Sequence, residues 1–297
     1  MNIRQILLGV FFILFVLSCQ NRNADTKKSS AEESLARLEQ MEDMKEIYYR
    51  FPSPDEMLNF IDKEELVFND AVLLPVENGK TFLDSRSQAL NLGIYIADLA
   101  YITLFQRQKE ALTYLYVVYG LSDKLRITSA FDPTLLKRFE DNLSNIDSLK
   151  SLTDEALTSI TDHLVENDKE KVLAIISIGG FVESMYLAFN LAGEFDDENL
   201  IVQRITDQKL VLENLISYSI EYSDDQNVAD AIKLIRPLRE AFSKLTSETK
   251  ETTVDKTEDG KLIIKGGEKI SITETQYYKL RDITFKIRKL ITENQEN

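Results

Sequence analysis

The chain has little of what most enzymes and binding modules use: among 297 residues there is one Cys, one His and no Trp. A single Cys and a single His exclude a His/Cys zinc cage and an intrachain disulfide, and leave little room for His-based nucleophilic catalysis. Cations are in deficit, with 35 Lys plus Arg against 50 Asp plus Glu and a formal charge of -15. A phosphate backbone needs a cationic surface, so nucleic acid is not an expected partner. Proline (five) and glycine (ten) are sparse, and no linker rich in either divides the chain. At 43% hydrophobic residues there is enough apolar surface for a sizeable core, which excludes disorder on grounds of composition.

The N-terminus reads as a processing segment. Arg4 supplies positive charge, and Ile6 to Leu17 is an apolar run of secretory length, short for a membrane span. The run ends in Val16-Leu17-Ser18-Cys19, which resembles the lipobox of bacterial lipoproteins, and the chain's only cysteine stands there. That resemblance implies acylation of Cys19 and removal of residues 1–18. A thiolate suits the chemistry as a good nucleophile, and several acyl chains hold a protein on a membrane far better than one. Cleavage would remove one cation, Arg4, and no acid, so the mature chain stays strongly acidic. Residues 19–30 lack apolar periodicity and read as a flexible tether, with Lys27 and Lys28 placed to meet anionic headgroups weakly. By the same resemblance, Gln20 rather than Asp after the Cys favours the outer membrane, with periplasmic and surface faces both open.

From residue 31 to 297 apolar spacing is helical almost throughout. The expected fold is mainly α: a single helical bundle or stacked helical hairpins, with a small β-hairpin insertion before the C-terminal helix. Ser53-Pro54-Asp55-Glu56 and Asp132-Pro133 have the form of helix starts. Helices are expected over Ser85–Gln106, Ala111–Leu125, Asp154–Asn167, Lys169–Ala192, Asn199–Tyr222 and Gln226–Leu245. The β excursion lies near 252–273. Val254–Thr257 and Leu262–Lys265 flank the turn signal Asp259-Gly260, and Ile270-Ser271-Ile272 after Gly266-Gly267 suggests a third short strand. Thr273-Glu274-Thr275-Gln276 matches a capping box, and Tyr277, Leu280, Ile283, Ile287, Leu290 and Ile291 form the apolar stripe of a final helix.

Two segments are alike in composition, Leu92 to Tyr101 and Ile178 to Ala188, each with Gly, then an acid, then Tyr. Glycine inside a helix costs about 1 kcal/mol relative to Ala, so its use suggests close approach of another backbone and marks these as central helices. An internal duplication is one reading, although no fixed repeat period can be counted.

Asp98 shares a helical face with Ile94, Tyr95, Tyr101 and Ile102, and Glu183 with Ile176, Gly179, Gly180, Tyr186 and Leu187, so both acids are expected to be buried. A buried carboxylate needs compensation, with Arg107, Arg126, Arg204 and Arg236 as candidate cations. The pair reads either as an acid/base or cation site in a cleft, or as a structural polar network; the second is the expectation, with both Asp98→Asn and Glu183→Gln lowering the melting temperature. Tyr95, Tyr101, Tyr114, Tyr116, Tyr119 and Tyr186 read as core residues with hydroxyls reaching the surface rather than as a ligand platform. His163 has no second His or Cys beside it and is expected to be solvated or capping. Gly179-Gly180 opens no phosphate-cradling loop. Asp196-Asp197-Glu198 and Asp224-Asp225 suit helix starts and lack the spacing of a calcium loop. No catalytic residue, metal or cofactor is assigned.

The lipobox, followed by a helical body with Gly-Ile-Tyr-Ile-Ala-Asp-Leu-Ala-Tyr at 93–101 and Gly-Gly-Phe-Val-Glu-Ser-Met-Tyr at 179–186, resembles uncharacterised all-helical lipoproteins of Bacteroidota. The resemblance implies a location in the cell envelope and carries no activity or site. The expected function is a membrane-anchored envelope lipoprotein whose noncatalytic body binds an envelope protein or a small-molecule ligand. The alternatives are a carboxylate-based hydrolase-like enzyme and a structural envelope assembly factor.

Overall fold

A computed structural model describes residues 66–142, 145–256 and 262–293, all within one unit running from Arg50 to Asn297. The signal segment, Cys19, the tether, the boundaries at 18 and 30, and the Ser53-Pro54 helix start lie outside the described residues. The architecture is mainly α. After two 3-10 turns, Asp70–Val72 and Val76–Lys80, come α1 (Ser85–Leu104), α2 (Gln108–Lys124), a third 3-10 turn Thr128–Ala130, α3 (Leu135–Asp141) and α4 (Ile146–Glu166). Then follow α5 (Glu170–Ala192), α6 (Leu200–Ile220), α7 (Gln226–Phe242), the strands β1 (Thr246–Lys256) and β2 (Leu262–Ser271), and α8 (Glu274–Thr292).

Local chemistry sets the helix ends. Asp84 accepts from the Ser87 N–H at 2.9 Å and opens α1, and Asp225 opens α7 in the same way. Three helices close without glycine. Gln106, Arg126 and Asp168 take φ of 60°, 57° and 55°, and the next residue's N–H bonds back to Ile102, Ser122 and Leu164 respectively. This is the left-handed helix ending that glycine usually makes, here at a steric cost of roughly 1–2 kcal/mol per residue. Two expected starts move. Asp132 spends its carboxylate on the Thr134 N–H and hydroxyl, closing a turn, so α3 begins only at Leu135. Asn145 caps Ser148 N at 3.1 Å, so α4 begins at Ile146 rather than Asp154.

α1 and α5 lie at the centre. Every residue from Gln88 to Ile102 is buried, and α5 is similarly enclosed from Leu173 to Phe189 on most faces. α5 is also long and apolar enough to cross a membrane, but 78% of its apolar window is buried within the protein, as suits a core helix. α1 packs more extensively on α5 than on any other element, with α2 and α4 also against α1, and α6, α7 and α8 against α5. The contact is made backbone to backbone. A Cβ on Gly93 would lie 1.9 Å from the Ile176 carbonyl oxygen, and one on Gly179 would lie 1.9 Å from that of Leu90.

The β excursion is one antiparallel hairpin. Its register runs from Thr246 opposite Ser271 to Lys256 opposite Leu262, with an irregularity between Lys250 and Thr253. Ile270 and Ser271 continue β2 and are no third strand. Gly266-Gly267 does not turn the chain, because Gly266 faces the bulged residues 251 and 252 and absorbs the extra length there. The Asp259-Gly260 turn lies outside the described residues. The Thr273–Gln276 capping box is formed in both directions, and α8 buries Tyr277, Leu280, Ile287 and Ile291, whereas Leu290 is exposed.

Because the atoms in the way at Gly93 and Gly179 are backbone, neither site can yield by a side-chain rotation. Gly93→Ala and Gly179→Ala are each expected to cost about 3 kcal/mol or more in urea denaturation, at the top of the overpacking range. Gly120, in α2 with nothing within 4 Å of an added Cβ, is the control. Gly120→Ala should gain up to ~1 kcal/mol.

Candidate functional site: a sealed acid pair beneath an N-terminal strap

The close approach of α1 and α5 brings Asp98 and Glu183 within hydrogen-bonding reach of one another, and neither has any exposed surface. The compensating cation is Arg288 of α8. Its Nε donates to Glu183 Oε2 at 2.7 Å, its other arm donates to the Val72 carbonyl at 3.0 Å, and its guanidinium lies 4.0 Å from the centre of the Tyr186 ring. Asp98 Oδ2 accepts the Leu74 N–H at 3.1 Å.

The four guanidinium groups expected from sequence are elsewhere. Arg107 pairs with Glu110 and stacks on Phe68, Arg204 pairs with Asp207, Arg126 closes α2, and Arg236 lines a groove between α6 and α7. Arg288 was nevertheless marked in the sequence. It falls four residues after Thr284 and three before Ile291, on the buried face of α8, where a cation needs an acid.

Above the acids lies a strap, residues 69–75, without regular structure apart from its 3-10 turn. Side chains of the core fasten its backbone one group at a time. The Tyr101 hydroxyl accepts from Asn69 N at 3.1 Å, Arg288 donates to the Val72 carbonyl, Asp98 accepts from Leu74 N, Tyr114 donates to the Leu74 carbonyl at 2.9 Å, and Tyr95 donates to the Pro75 carbonyl at 2.7 Å. Val72, Leu73 and Leu74 are buried while residues 69–71 and 75 face solvent, so the strap is the outer layer over the acids. Three of the six tyrosines singled out in the sequence thus spend their hydroxyls on this strap and not on solvent. Tyr116 and Tyr119 are exposed.

The electrostatics raise both carboxyls of the pair. Burial, and after it the charge of Glu183, push the Asp98 carboxyl well above the ordinary aspartate range, against the pull of Arg288 and the Leu74 N–H. Burial raises Glu183 too, with Arg288 opposing. Asp98 Oδ1 and Glu183 Oε1 find no donor among the described residues. Two bare carboxylates would leave both atoms unsatisfied, whereas a proton on Asp98 Oδ1 donated to Glu183 Oε1 satisfies both and leaves the buried cluster neutral, with Glu183 opposite Arg288. Burial also raises Tyr95, Tyr101 and Tyr114, which keeps these phenols neutral and able to donate.

Sequence reasoning passed over one further constellation. Ser129 Oγ lies 3.1 Å from His163 Nε2, and Asn167 Nδ2 lies 3.3 Å from His163 Nδ1, an arrangement with the outline of a nucleophile, base and orienting group. The proton is on the wrong nitrogen. Asn167 Nδ2 also donates to the His163 carbonyl at 2.7 Å, which fixes the amide with its N–H groups toward the ring. Nδ1 therefore accepts, Nε2 carries the hydrogen, and the imidazole donates to Ser129 instead of taking its proton. Of the acidic clusters, Asp196 accepts from Glu198 N and Asp225 caps α7. No group of three or more His, Cys, Asp or Glu is placed to hold a metal ion among the described residues.

Comparison with protein-family models, with curated proteins and with solved structures finds no match to this chain. The site is therefore read on its own chemistry.

That chemistry separates the two acids, which the sequence treated alike. Asn at position 98 keeps an acceptor for Leu74 N and a donor for Glu183, as protonated Asp98 does. Gln at 183 leaves Arg288 buried without its anion. Glu183→Gln should cost about 3 to 5 kcal/mol, and Asp98→Asn should melt no lower than wild type at pH 7. A group whose folded pKa is raised stabilises fully below its unfolded value of 3.8, and this contribution fades as pH rises toward the folded value, by about 1.4 kcal/mol per pH unit. Denaturation across pH should show a steeper decline in wild type than in Asp98→Asn, which keeps the raised Glu183 but has no proton to lose at position 98.

Proposed function

We propose that this chain is a lipid-anchored protein of the bacterial cell envelope, probed most directly at Cys19, whose helical body binds a partner or ligand and performs no catalysis. The observation that carries the noncatalytic half is the complete burial of Asp98 and Glu183. A carboxylate enzyme needs its acids to meet substrate and water. Here each acid is committed to a partner inside the fold, one to Leu74 N and the other to Arg288. The cavities bordered by α1, α2 and α4 and by α6 and α7 are lined by other residues. The envelope half rests on Arg4, the apolar run to Leu17 and the lipobox ending in Cys19, and Gln20 favours the outer membrane.

Incorporation of labelled palmitate tests the anchor. Wild type should take up the label and fractionate with membranes, and Cys19→Ala should do neither. Labelling of the variant contradicts the reading. A pull-down from envelope extract, with small-molecule mass spectrometry of the eluate, then separates a protein partner from a small ligand. Hydrolytic activity abolished by Asp98→Asn with the fold intact would replace this proposal with the enzymatic one.

A further inference from the structure

The strap is held in an unusual way for a segment so short. Five side chains from three helices, Tyr95, Asp98 and Tyr101 of α1, Tyr114 of α2 and Arg288 of α8, each bond to its main chain. Beneath it, Asp98 Oδ1 and Glu183 Oε1 are buried, and neither finds a donor among the described residues. The helices below leave no gap between them at this level of the core, since α1 and α5 touch backbone to backbone at Gly93 and Gly179. The strap, with only a 3-10 turn and a solvent-facing outer side, is the layer that can lift.

We propose that residues 69–75 form a proton-controlled clasp: a proton shared by Asp98 and Glu183 keeps the strap shut over the acid pair, and its loss to solvent base opens the strap. The step breaks one O–H bond, at Asp98 Oδ1, and leaves two carboxylates and one guanidinium in a dry site. The groups that face Asp98 are Glu183 of α5, Arg288 of α8, Tyr95 and Tyr101 of α1, and Tyr114 of α2, with Glu77 acting on the two phenols Tyr95 and Tyr114. Only Arg288 among these is cationic. It cannot pair fully with both acids while donating to Val72, so the second negative charge must be hydrated, and hydration comes through the strap.

Opening would free the main chain of 69–75 from the body. The clasp is thus a pH-set fastening of residues 69–75 to the helical body, and it does not depend on the envelope reading above.

Hydrogen exchange of the full-length protein, followed by NMR across pH and corrected for intrinsic exchange, tests the clasp. Protection of the Leu74 amide should fall by up to about tenfold per pH unit above the ordinary aspartate value and level off once the closed form has itself lost the Asp98 proton, while amides of α5 around Gly179 keep their protection. In Asp98→Asn, where no proton can leave, Leu74 protection should be flat over the same range. Protection of Leu74 that is constant with pH in wild type overturns the proposal, whatever the variants do. Equal loss in wild type and Asp98→Asn overturns it as well, and so does loss that runs in parallel through α5, which would mark global unfolding. Should Asp98→Asn fail to fold, Asp98→Ser is the second variant: it carries no titrating carboxyl, and a Leu74 profile that falls with pH as in wild type would count against control by this proton.

Discussion

The backbone contact between α1 and α5 is the constraint on which the rest of the structure depends. Two glycines remove the side chains that would hold the helices apart, and the carbonyls of Leu90 and Ile176 occupy the space. Once the helices are this close, Asp98 and Glu183 must share one site. Once they share it, two buried carboxyls facing one guanidinium must keep a proton. The position of Arg288, the seat of α8 and the path of residues 69–75 follow from that sequence of requirements, because each supplies a charge or a donor that the acids need.

The same constraint separates stability from chemistry. Paired acids with raised pKa values mark many catalytic sites, yet here the raising factor is burial among side chains that themselves hold the fold together. The phenols donate to main-chain carbonyls, the guanidinium bridges an acid and a carbonyl, and no polar group of the cluster is left over for a substrate except the two oxygens that a proton satisfies. The Ser129, His163 and Asn167 group makes the same point differently: distances alone suggest a nucleophile and base, and the hydrogen placement imposed by Asn167 removes the base.

Much of the fold was legible in the amino-acid sequence because its signals are local or periodic. The helices, the Thr273 capping box and the hairpin before α8 follow from spacing and turn chemistry. The close helix contact follows from glycines placed where a helix would not otherwise accept them. What escaped has physical reasons. The strap has neither helical nor strand periodicity, and its bonds run from side chains 20 to more than 200 residues away, so no local pattern marks it. The left-handed helix ends use Gln106, Arg126 and Asp168 in place of glycine and so carry no composition signal. Arg288 was readable from its position on the apolar face of α8, but only by asking which cation lies inside that stripe, since the nearer arginines all find partners or solvent at the surface. Gly266 resembled a turn signal and served instead to take up a bulge.

The central claim is that Asp98 and Glu183 hold one proton between them inside the folded protein. Carbon-13 NMR of the side-chain carboxyls, titrated from acid to alkaline pH on the folded protein, reads this directly. The account predicts that the Asp98 carboxyl keeps the chemical shift of the protonated form far above the ordinary aspartate range, while the Glu183 carboxyl is ionised opposite Arg288. Two carboxyls that both ionise within the ordinary range of exposed acids would contradict it.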